Sequence, residues 1–123
     1  MTVRNVLLID DNNHQHELFN CYALTVDDIE LEHAVNLEEG IDSLSSKTPH
    51  VIFLDNRLQP FANFSETVPS IRDAGFEGKI VVISSDINDP QFSTSESFSV
   101  HHFRDKSDFS LSTFGQIIDS YVC

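Results

Sequence analysis

Basic side chains are scarce in this sequence. Lys and Arg number seven against twenty Asp and Glu, for a formal net charge of −13 over 123 residues. Nucleic acid and anionic membrane surfaces both need a cationic footprint, so both are excluded as partners. Long hydrophobic runs are also missing. No apolar stretch approaches the roughly 18 residues of a membrane span, and Met1-Thr2-Val3-Arg4-Asn5 leads into a strand-length run rather than a signal peptide. The only cysteines are Cys21 and Cys123, which is too few for a disulfide framework and lacks metal-ligand spacing. Both are expected as reduced thiols in a cytoplasmic protein. There is no tryptophan, internal repeat, linker or low-complexity tail. A chain of 123 residues has room for one domain and one core, so residues 1–123 are read as a single domain with no effector module.

What is present is a hydrophobic fraction of 40%, arranged as short apolar runs. Val51-Ile52-Phe53-Leu54 ends in Asp55, Val6-Leu7-Leu8-Ile9 ends in Asp10-Asp11, and Ile80-Val81-Val82-Ile83 ends in Ser84-Ser85-Asp86. Uniformly apolar runs of this length read as strands buried on both faces of a parallel sheet. Ile29–Ala34 alternates with period two, as an edge strand would. Val100–Phe103 reads as a short last strand before Arg104-Asp105-Lys106.

Helical spacings lie between these runs. Leu18, Tyr22 and Phe19 mark a first helix, with Asn12 and Asn13 as candidate caps. Leu37, Ile41 and Leu44 mark a second. Phe64, Val68 and Ile71 mark a third, which is expected to begin near Pro69 or bend there and to stop at Gly75. The serine-rich stretch Asp86–Ser99 predicts a short, weak helix. Ser107 is expected to cap a last helix carrying Leu111, Phe114, Ile118 and Tyr121. Five strand–helix alternations predict an α/β, doubly wound parallel sheet.

In such a sheet the carboxyl ends of the strands share one crevice. They bring Asp10, Asp11, Asp55, Ser84 and Lys106 together. Carboxylates that close repel, which favours a hard divalent cation with oxygen ligands, Mg²⁺ above others. With charge offset, Asp55 can attack a phosphorus in line and form an acyl phosphate. Lys106 would neutralise one phosphoryl oxygen and the Ser84 hydroxyl would donate to another. Taken alone, Asp10-Asp11 reads equally as a helix cap, and Ser84 as an ordinary strand-end hydroxyl.

These motifs resemble the receiver domains of two-component response regulators. The resemblance rests on Asp10-Asp11 after the first strand, Asp55 with Leu58 three residues on, Ser84 after the Ile80–Ile83 run, and Lys106 after Phe103-Arg104-Asp105. It implies a (βα)5 flavodoxin-like fold with strand order 2-1-3-4-5, stand-alone in this chain. It also implies that Asp55 is phosphorylated by a histidine kinase or histidine phosphotransfer protein. Asp11, Asp55 and the Arg57 backbone carbonyl would bind Mg²⁺, with Asp10 behind them. Ser84 and Lys106 would contact the phosphoryl group, and Phe103 would turn inward as Ser84 moves. The phosphorylated form would bind a downstream target protein, and a homodimer stays open.

Some positions depart from that pattern. Gln59 stands where proline is common and Pro60 comes one later, Asn63 replaces a glycine, and Ser107 follows Lys106 in place of proline. Arg57 and Asp86 occupy the variable flanking positions, and a salt bridge between them would lengthen the phosphoryl lifetime. Three other readings remain. A pseudo-receiver would bind partners without phosphorylation. A small phosphohydrolase would want an Asp at position 57, and a flavodoxin-like cofactor binder would want a Ser-, Thr- or Gly-rich first loop. The histidines do not suggest a metal site: His14 and His16 fall on different helical faces, His101 and His102 on opposite strand faces, and His33 and His50 are isolated. Phe92, Phe98 and Phe109 are candidates for a partner-docking face.

Overall fold

The computed structural model describes residues 3–61, 64–85 and 100–122. Five strands, β1 (Arg4–Ile9), β2 (Ile29–Ala34), β3 (Val51–Asp55), β4 (Lys79–Ser84) and β5 (His102–Asp105), form one sheet. All neighbours are parallel and the order is β2-β1-β3-β4-β5. The described helices are α1 (Asn13–Ala23), α2 (Leu37–Ser46), α3 (Phe64–Asp73) and α4 (Phe114–Tyr121). The expected doubly wound sheet and its strand order are both found. The weak helix expected over 86–99 lies outside the described residues.

Side chains alternate across a strand, so each central strand feeds two cores. Val6, Leu8, Phe53, Val81 and Ile83 pack with Phe19 of α1 and with Phe114 and Ile118 of α4. Leu7, Ile9, Ile52, Leu54 and Val82 pack with Leu37 of α2 and with Phe64, Val68 and Ile71 of α3. The single core expected from length is therefore two layers divided by the sheet. That division explains the unbroken apolar runs: both faces of β1, β3 and β4 are covered.

Local chemistry sets the helix ends. The Asn12 side chain accepts from the His14 amide, and that of Asn36 from the Glu39 amide, each satisfying a first-turn donor. Gly75 ends α3 at φ 101°, a conformation that costs glycine little. At Gly40 a Cβ would lie 2.5 Å from Ile9 Cδ1, so the missing side chain lets α2 lie close over β1.

Several expectations need correction. β5 is His102–Asp105, not Val100–Phe103, because the ladder with β4 continues past Phe103 through Ile83↔Arg104 to Ser84↔Asp105. Pro69 does not start α3, which begins at Phe64. Ser107 caps nothing: it sits in a 3-10 turn, Lys106–Asp108, capped by Asp105. α4 begins at Phe114, and Leu111 lies before it, 60% exposed. Phe109 is buried in the α1/α4 core, against Phe19 and Phe53, and is no docking residue. Phe92 and Phe98 lie outside the described residues. Cys21 is an exposed free thiol. Among the described residues, no helix is long and apolar enough to cross a membrane.

Candidate functional site

The parallel sheet delivers its strand ends to one rim. Asp10 follows β1 and is fully buried. Its amide donates to the Ala34 carbonyl at 3.0 Å, and its Oδ1 accepts from the Asn12 amide at 2.9 Å. The Asn12 cap in turn starts α1. Asp11, next in the chain, faces solvent. Asp55 is the last residue of β3 and only 7% exposed. Each of the three carboxylates offers an oxygen within 4.8 Å of the others.

Lys106 completes the group. It opens the 3-10 turn after β5, where Asp105 Oδ1 accepts from both the amide and the hydroxyl of Ser107 at 2.8 Å. This tight turn aims the lysine back over the sheet. Its Nζ lies 3.0 Å from Asp10 Oδ2 and 3.2 Å from Asp55 Oδ1.

The charges are unbalanced. Burial, and then the negative charge of Asp10, push the Asp55 carboxyl up to about 6, against the pull of Lys106 and of a hydrogen bond from the Arg57 backbone. Burial alone would lower Lys106, yet Asp55 and Asp10 hold it above its ordinary value. Both shifts point the same way. Three carboxylates face one ammonium, so the site favours any added positive charge. Its donors are all carboxylate oxygens, and the surplus is two negative charges. That donor set fits a hard dication of the Mg²⁺ type.

The remaining sequence-derived positions fall around this rim. Ser84 ends β4 and is 7% exposed, one residue past Ile83, the register partner of Asp55. Phe103 is half-buried and stands edge-on to Phe64, with centroids 5.1 Å apart. Arg57 is exposed. Asp86 and Asn63 lie outside the described residues, and with Asp86 the Arg57–Asp86 pair.

Three supports escaped the sequence reading. Asn56 is 1% exposed, its amide donates to the Ile83 carbonyl at 2.9 Å, and its Oδ1 accepts from the Phe64 amide at 3.1 Å. It thereby ties the loop after Asp55 to both β4 and α3. The Gln59 amide donates to Asp11 Oδ2 at 3.3 Å. His33, expected to be isolated, instead meets His16 through their Nδ1 atoms, and His16 Nε2 meets the Asp10 carbonyl. The one available signal was Asn56, a second polar residue after Asp55 at the end of an apolar run, but its partner is eight residues away.

A parallel 2-1-3-4-5 sheet with this layering is the fold of the CheY-like receiver domains. A CheY-like receiver domain of a response regulator from Methylobacillus flagellatus aligns with a TM-score of 0.79 at 17% identity, covering 98% of this chain and 99% of that one. The chemotaxis response regulator CheY4 of Vibrio cholerae aligns with a TM-score of 0.82 at 15% identity, covering 98% and 100%. The N-terminal domain of a response regulator/sensory box/GGDEF three-domain protein from Carboxydothermus hydrogenoformans gives 0.78 at 16%, covering 96% and 93%. At such identities the likeness is one of fold. No family model and no curated protein matches the sequence.

Proposed function

We propose that this protein is a phosphorylation-dependent signalling switch or phosphate relay in which Asp55 accepts the phosphoryl group. The observation that carries this reading is the Lys106 ammonium, 3.0 Å from Asp10 and 3.2 Å from Asp55, beside a third carboxylate at the same rim. Phosphoryl transfer asks mainly for positioning and charge neutralisation, and these groups supply both.

An ionised Asp55 oxygen attacks phosphorus in line. The P–N bond of a phosphohistidine, or the P–O bond of an acyl phosphate, breaks, and the leaving group keeps the electron pair. Lys106 neutralises one phosphoryl oxygen, and the Ser84 hydroxyl donates to another. Mg²⁺, held by Asp11, Asp55 and the Arg57 carbonyl with Asp10 behind, would offset the charge on the phosphoryl oxygens. The donor would be a histidine kinase or histidine phosphotransfer protein, and the recipient of the signal a target protein. Phe103, packed on Phe64, and Ser84 are the pair whose rearrangement would report the modification, by shifting an existing equilibrium.

The test is incubation with Mg²⁺ and acetyl phosphate, followed by intact-mass measurement. Wild type should gain a labile adduct of about 80 Da, one phosphoryl, while acetate leaves. Asp55→Asn should gain none. An unmodified wild type under donor excess would overturn the proposal in favour of a pseudo-receiver.

A further inference from the structure

Beside the carboxylate rim, α2 and the loop after β3 flank an open apolar groove of about 540 Å³. Leu37 and Ile41, one turn apart on α2, form one wall, and Pro60 and Phe61 form the other. Glu38 and Asp42 follow the same one-turn spacing along the rim. Both are exposed, and neither forms an ion pair among the described residues. We propose that this groove docks a segment of a partner protein presenting an aliphatic or aromatic side chain flanked by Lys or Arg. The apolar walls take the side chain, and the two carboxylates, on a chain of net charge −13, select cationic flanks and repel acidic ones.

The groove is also tied to the carboxylate site. Its far wall starts at Gln59, whose amide donates to Asp11 Oδ2 at 3.3 Å, and Leu58 just before it is fully buried. A cation drawn to Asp11 competes for that oxygen, so occupancy of the site changes the hold on the Gln59–Phe61 wall. This coupling, unlike the docking itself, rests on the metal-dependent reading of the site.

The experiment follows backbone amide NMR shifts of the full chain on titration with acetyl-Lys-Leu-Phe-Lys-amide and, as control, acetyl-Glu-Leu-Phe-Glu-amide. The cationic peptide should move the amides of Leu37, Ile41, Gln59 and Phe61, and the acidic one should not. The double variant Glu38→Lys/Asp42→Lys should weaken binding at least about fivefold, as expected for reversing two exposed charges, while still gaining the acetyl phosphate adduct. Should the double reversal unfold the chain, Glu38→Gln/Asp42→Asn serves in its place. Shifts confined to other surfaces, equal binding of both peptides, or indifference to the charge change would overturn the docking proposal. Mg²⁺ alone is titrated in parallel. If the Asp11 and Asp55 amides do not respond to it, the metal reading and the coupling fail while the peptide result stands. If they respond but peptide affinity is the same with and without Mg²⁺, the coupling alone is wrong.

Discussion

A backbone carbonyl can only accept a hydrogen bond, so the contact of His16 Nε2 with the Asp10 carbonyl places a proton on that nitrogen. His16 Nδ1 meets His33 Nδ1, so one of the two rings donates and the other accepts. On its other side, His33 Nε2 lies 2.8 Å from Asn20 Oδ1. Burial, and then His16, hold the His33 pKa below its ordinary value. The unfolded chain protonates this residue near pH 6.5, while the folded chain stays neutral to lower pH. Below about pH 6.5 the unfolded state therefore binds more protons, and stability falls as pH falls. Asp55, raised to about 6 on folding, acts in the opposite sense over this range, so the His33 contribution is read by comparison: between about pH 7.5 and about pH 5.5 the urea midpoint of wild type should shift downward relative to that of His33→Gln. Nothing local marks this pair, because its members are 17 residues apart on different elements.

At the scale of elements, the loop between β3 and α3 depends on Asn56. It is the residue after Asp55, yet it serves the first amide of a helix eight positions on. Removing the side chain leaves the Phe64 N–H without this acceptor, while the backbone bond to the Ile83 carbonyl stays. Asn56→Ala should cost about 1–2 kcal/mol in urea unfolding, the range for losing a helix cap or leaving a buried donor unpaired. β5 and α4 show the limit of pattern reading at this scale. Arg104 and Asp105 extend the strand through ladder pairing with Ile83 and Ser84, which no apolar pattern announces. Leu111 fits the helical stripe of Phe114 and Ile118 by spacing, but the chain is still turning there.

Across the whole molecule, folding is what assembles the carboxylate site. Asp10 and Asp55 lie 45 positions apart, and Lys106 comes a further 51 positions along, so the unfolded chain has no such cluster. A cation that binds only the folded form stabilises it by mass action, by about 2.7 kcal/mol at a hundredfold excess over Kd. Saturating Mg²⁺ should therefore raise the thermal midpoint, chelation should reverse the rise, and Asp11→Asn should blunt it. A midpoint indifferent to Mg²⁺ would count against these carboxylates as ligands. Phe19→Ala, which empties a fully buried position in the α1/α4 core, should lower stability by about 3–5 kcal/mol through packing instead.

Taken by itself, the amino-acid order determined the five strands, the parallel winding and the identity of Asp10, Asp11, Asp55, Ser84 and Lys106 as residues at strand ends. Those features are local. Unbroken apolar runs mean strands covered on both faces, and a polar residue ending each run must lie at the rim. The tertiary structure alone decided that Lys106 reaches both Asp10 and Asp55, that the core is two layers, that His16 meets His33, and that the β3–α3 loop walls a groove and touches Asp11. Each of these depends on the register between strands and on the angle at which a loop leaves the sheet. Such contacts join residues far apart in sequence, and local periodicity carries no information about them.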